Sequence, residues 1–183
     1  MIISIAEIIR LAVMTVAIGY IFSNVTNLSD PLKTRKRFDF DSIKTGIYAA
    51  APGIILHEMA HKFVALYYGL QAEFFISTIG LGLGVVLKLV SSPLIIFVPG
   101  FVSMPGGVDP LKSALIAFVG PLMNGGLWLI AWYILNKSHK RLSTKVMHVV
   151  ILTKRINGVL FVFNLIPLPP FDGWHVLDGL LSA

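Results

Sequence analysis

Long apolar runs separated by two short basic stretches organise this chain. Residues 2–22 form the first run, long enough to cross a bilayer as a helix. The polar stretch 23–42 carries Lys33, Arg35, Lys36 and Arg37, with Asp30, Asp39 and Asp41 interspersed. It reads as a solvated loop beside lipid headgroups. Residues 43–69 form the second apolar run and end at Gly69, a helix stop. Between residues 70 and 110 the pattern changes. AEFFIST has strand-like content, GLGLG interrupts an apolar run that continues through Val98, and PGFVSMPGG follows. This predicts either one more spanning helix or a re-entrant segment with short strands. Non-helical backbone at membrane depth is tolerated only where protein or water covers it. Residues 111–135 are apolar again, and 136–155 are basic, with their C-terminal part beginning the next helix. Residues 156–168 end in a cluster of prolines that no helix can continue through. A short helix over 174–182 closes the chain. The fold class predicted is an all-α polytopic membrane protein with four or five transmembrane helices. A strand-containing or re-entrant segment occupies 70–110, and residues 1–183 form a single membrane domain.

Composition agrees with that pattern. Hydrophobic residues make up 56% of the chain and charged ones 13%, against about 25% charged in soluble domains. Mean hydropathy is +0.82. Cysteine is absent, which excludes disulfides and thiolate metal sites. Most of the net charge of +6 lies in the two basic stretches, which suits a lipid surface. No nucleic-acid motif is present, so nucleic acid is not an expected partner. The first apolar run lacks a basic n-region, and Ser23-Asn24-Val25 is a poor cleavage site. It is expected to stay as a membrane helix.

The central chemical signal is His57-Glu58-Met59-Ala60-His61. On a helix, positions i and i+4 share a face one turn apart, so both imidazoles can reach one zinc ion. Glu58 leaves the helix about 100° from His57, beside a metal without ligating it. There it can act as general base in metal-assisted peptide hydrolysis. Ionisable residues in an apolar span are costly, roughly 2.5–3.5 kcal/mol each at a helix centre, so three within five positions need a reason. Zinc needs a third protein ligand. Glu73, the sole Glu after His61, is too close in sequence to lie on a separate helix. Val64 and Tyr67 break the extended metzincin pattern. Asp172, just beyond the proline cluster, is the best candidate, with Asp178 and Asp109 weaker. The plainer alternative for Asp172 is an N-cap of the last helix.

HEMAH within one apolar segment, GPLMN opening another and NLIPLPPFDG ending a third resemble the core of site-2 proteases. These are intramembrane zinc metalloproteases that cleave membrane proteins within or beside their transmembrane segments. The resemblance covers roughly 43–69, 111–135 and 156–178, and matches 2–42 and 70–110 only loosely. It implies one zinc ion per chain held by His57, His61 and Asp172, with Glu58 as catalytic glutamate. It also implies that Asn164 lies near the active site. Partners would be the lipid bilayer and substrates carrying a transmembrane helix, in regulated intramembrane proteolysis at the cell membrane. Ala60 and Trp174 stand where the family often has glycine.

Several residues carry two readings. Asn164 could donate to an oxyanion or cap a broken helix. Asn124 could tie helices together by a hydrogen bond or take part in catalysis. His175 could stand behind the metal or lie at the surface, and His139 and His148 read as solvated. Glu7 and Arg10 read as an intramembrane pair or an interface anchor. Two rival functions remain: a metal transporter, which would want ligands strung along a path, and an inactive relative that binds membrane proteins without cutting them. The basic stretches and the resemblance point to opposite membrane orientations.

Overall fold

A computed structural model describes residues 2–26, 39–92, 98–138 and 141–183. Asp30, Lys33, Arg35, Lys36, Arg37, His139 and Lys140 lie outside the described residues. In chain order the elements are α1 (Ile5–Thr26), α2 (Phe40–Tyr67), β1 (Glu73–Ile76), α3 (Thr78–Leu89), β2 (Gly100–Ser103), α4 (Pro110–Ser138), α5 (Thr144–Asn164) and α6 (Asp172–Leu181). Among the described residues the protein is mostly helical, with a two-stranded sheet pairing β1 and β2.

Segments 5–23, 110–137 and 144–164 are long and apolar enough to cross a membrane. Helix α2 has the length, 28 residues, but not the same apolarity. Its run is diluted by Asp41, Lys44, His57, Glu58, His61 and Lys62. Helix α5 begins at Thr144, where the Ser143 hydroxyl accepts from the Val146 N–H and caps it. The second half of the basic stretch is therefore helical.

The chain divides into two compact units, the first comprising residues 1–52 and 74–101. Within it α1 buries Met14, Ile18 and Ile21 and exposes Ile5, Ile8, Ile9, Val13 and Val16. An apolar face of that extent suits lipid rather than water. Glu7 and Arg10 hold the backbone of β1. The Phe74 N–H donates to Glu7 Oε1 at 2.9 Å, and Arg10 Nη1 donates to the Phe74 carbonyl at 2.8 Å. The Arg10 guanidinium also lies 4.2 Å over the Phe75 ring. Phe74 is fully buried, so Glu7→Ala leaves a buried N–H without its acceptor. That should cost about 1–3 kcal/mol, read as a lower thermal unfolding temperature, with Glu7→Gln losing less because it keeps an acceptor.

The region 70–110 contains strands, as one of the two sequence alternatives expected. Helix α3 has 12 residues, about 18 Å, too short for a hydrocarbon core of about 30 Å. It runs through GLGLG rather than breaking there. Ser77 starts it by accepting from the Gly80 N–H at 3.1 Å. Lys88 near its end reaches the Ser23 hydroxyl and lies 4.4 Å over the Tyr20 ring.

The second unit comprises residues 53–73 and 102–183. It holds the C-terminal part of α2 together with α4, α5 and α6. Helices α4 and α5 pack along each other, with Trp128 stacked on Phe161 at 6.5 Å between centroids. The last apolar segment is interrupted: α5 ends at Asn164 and α6 begins at Asp172. Pro167, Pro169 and Pro170 account for the break, because each lacks the N–H that a helix needs.

Candidate metal centre

His57 and His61 stand one turn apart on α2, and their Nε2 atoms lie 3.1 Å from each other. Asp172 reaches them from the first turn of α6. Its Oδ2 lies 3.0 Å from His57 Nε2 and 3.5 Å from His61 Nε2. Tight turns before and within the proline cluster (Ile166 N–H to Phe163 O, Phe171 N–H to Leu168 O) bring the chain back. The N-cap position of α6 belongs to Phe171, which makes no side-chain cap. Asp172 therefore turns its carboxylate to the imidazoles. The partial positive charge at the start of α6 favours a carboxylate there.

The three donor atoms fit a metal ion. Donors on one tetrahedral zinc at 2.0–2.2 Å stand about 3.3–3.6 Å from each other. The observed separations of 3.0, 3.1 and 3.5 Å are close to that, slightly contracted. Two neutral imidazoles and one carboxylate are also an ordinary zinc donor set, leaving a fourth position open. Among the described residues this is the group of His, Asp and Glu side chains that could hold a metal.

The far sides of both rings are fixed. His61 Nδ1 lies 2.6 Å from the Ile116 carbonyl and His57 Nδ1 lies 2.7 Å from Asn124 Oδ1. Both partners are acceptors, so each Nδ1 donates and each Nε2 keeps its lone pair for the metal. Helix α4 comes this close because Gly120 has no side chain. A Cβ there would stand 2.3 Å from His61 Nε2 and 2.8 Å from His57 Cε1. Gly120 and Asn124 are four apart, so GPLMN presents an empty position and an amide on one helix face.

Glu58 is buried beside His57, and its carboxylate is not among the three converging donors. Asn164 is half-buried at the end of α5, and its side-chain amide makes no hydrogen bond among the described residues. His175 is exposed on α6. Asp109 accepts from the Lys112 N–H at the start of α4, and Asp178 is exposed. Sequence reasoning passed over two residues of this centre. Gly120 was visible inside GPLMN, but its need for empty space is a tertiary fact. Asn157 on α5 is fully buried, and its Oδ1 accepts from Asn124 Nδ2 at 3.0 Å. The signal that could have found it is an amide in an apolar span, which seldom lacks a purpose.

A Methanocaldococcus jannaschii protein named "Putative zinc metalloprotease MJ0611" is 35% identical to this chain over 172 residues, 93% of this chain and 83% of that protein. A Bacillus subtilis protein named "Putative zinc metalloprotease YwhC" is 32% identical over 78 residues, 39% of this chain and 36% of that protein. No family model matches the chain. No solved structure matches it. Identity of that level along most of both chains means that this chain belongs to the zinc metalloprotease family of the Methanocaldococcus jannaschii protein.

Proposed function

We propose that this protein is an intramembrane zinc metalloprotease of the site-2 type, multi-pass in the cell membrane. Its reaction is hydrolysis of peptide bonds within or beside the transmembrane segments of other membrane proteins. The observation that carries this is the convergence of His57, His61 and Asp172 at tetrahedral spacing, with three helices among the described residues apolar enough to span. The relatives' names support the metalloprotease part. Exposed apolar side chains such as Leu122, Leu129 and Ile130 on α4 support a lipid setting.

His57, His61 and Asp172 would hold one zinc ion, which supplies Lewis acidity toward a peptide carbonyl and acidifies water. Glu58 takes the proton from the attacking water and delivers it to the leaving amine. The Asn164 amide is suited to donate to the substrate carbonyl as charge develops on it. A substrate helix hides its peptide bonds in its own hydrogen bonds and must unwind before attack. The 71–108 region, with its strand-like and Gly-rich pieces, suits the unwound stretch, which could join it by strand addition. A transporter would need successive ligand sets along a path, whereas the described residues offer one compact set.

The test uses purified protein in lipid vesicles with single-span membrane substrates. Chelation should abolish cleavage, and stoichiometric zinc should restore it. Cleavage that persists in fully metal-stripped protein would remove this mechanism.

A further inference from the structure

We propose that Asn157 is a positioning residue for the metal: acting through Asn124, it sets the ring orientation and tautomer of His57. The proposal rests on the zinc site proposed above. Four hydrogen bonds carry it, all within the second unit. Asn157 Nδ2 donates to the Thr153 carbonyl at 2.9 Å. Asn124 Nδ2 donates to Asn157 Oδ1 at 3.0 Å and to the Gly53 carbonyl at 3.2 Å. His57 Nδ1 donates to Asn124 Oδ1 at 2.7 Å.

The direction of each bond follows from the one before. A backbone carbonyl can only accept, so the NH2 end of Asn157 must face Thr153. Its oxygen then faces Asn124. Asn124 meets two pure acceptors, Asn157 Oδ1 and the Gly53 carbonyl, and spends both amide hydrogens on them. Its own oxygen is left facing His57. An oxygen that only accepts requires a proton on His57 Nδ1, so the lone pair stays on Nε2, toward Asp172 and His61. A backbone carbonyl on α5 thereby fixes which nitrogen of a histidine on α2 can bind metal.

Burial makes this chain of bonds rigid. Asn124 and Asn157 are both 0% exposed, so no water competes, and no buried side-chain polar atom among the described residues lacks a partner. The space is reserved as well, because a Cβ on Gly53 would stand 2.2 Å from Asn157 Oδ1. His61 needs no such device, since the Ile116 carbonyl serves it directly. His57 is the ligand whose tautomer depends on side chains. If Asn124 lost Asn157, only the Gly53 carbonyl would oppose an amide flip. A flipped Asn124 would present its NH2 to His57 and drive the proton onto Nε2, blocking the metal.

The experiment compares Asn157→Leu, which keeps the volume, with Asn157→Asp, which keeps an acceptor for Asn124. Zinc affinity is measured on the full-length protein in detergent by chelator competition, and thermal unfolding on the metal-free protein. Loss of a partner behind a ligand typically weakens metal binding by about 10–100-fold. That loss is expected for Asn157→Leu, with Asn157→Asp close to wild type, because a buried neutral acid donates its O–H to the Thr153 carbonyl and still accepts from Asn124. A purely packing role predicts lower unfolding temperatures with unchanged zinc affinity, and that result overturns the proposal. Equal loss of affinity in both variants also overturns it, because the acceptor would then not matter. Wild-type protein that takes up no zinc sinks the metal centre and this relay together. Wild-type protein that binds zinc but cuts no membrane substrate sinks the protease function alone.

Discussion

Glu58→Gln should keep zinc and fold while slowing substrate cleavage by about 10²–10⁴-fold, the usual worth of general-base assistance. Glu58 sits one position after His57, rotated about 100° around α2, and its carboxylate is absent from the converging donor group. Glutamine has nearly the same shape and can still hydrogen-bond, but it cannot accept the proton of the attacking water. Metal analysis and cleavage rates on one preparation test this. A variant that loses zinc would make Glu58 part of the metal's support. A variant that cuts at the wild-type rate would end its role as base.

Gly120→Ala should abolish zinc binding and cleavage together, although alanine is the smallest side chain that can be added. Its Cβ would lie 2.3 Å from His61 Nε2 and 2.5 Å from His61 Cε1, far inside the contact distance of about 3.5–4.0 Å between carbon atoms. Neither ring can swing aside without breaking its Nδ1 hydrogen bond to Ile116 or Asn124. The loss of zinc affinity should exceed the 10–100-fold typical of a change behind a ligand, because this change strikes the metal-facing atoms. Gly126→Ala on the same helix is the control. Nothing lies within 4 Å of a Cβ there, so zinc and activity should be retained. Zinc binding by Gly120→Ala equal to wild type would mean that α4 does not press on the imidazoles.

Elements whose cause is local were readable from the sequence. The i, i+4 histidines sit on one helix because the period of α2 puts them there, and the proline cluster ends α5 because prolines cannot continue it. Asp172 was ambiguous, since a carboxylate opening a helix serves equally well as a cap. Only the return of α6 toward α2 separates the two roles. Residues 70–110 were ambiguous for a related reason. Short apolar runs suit strand or helix alike, and the hold of Glu7 and Arg10 on Phe74 is made across more than sixty positions. Gly120 and Asn157 act by absence and by relay, through neighbours far along the chain. No window of sequence contains those neighbours.

The most direct test of the central claim is the position of the cut. Zinc-loaded protein in lipid vesicles is given a substrate with one transmembrane helix, and mass spectrometry locates the new termini. The account predicts termini within or beside the apolar span, absent after chelation and nearly absent with Glu58→Gln. An intact substrate, or cuts confined to soluble regions remote from the span, would contradict it.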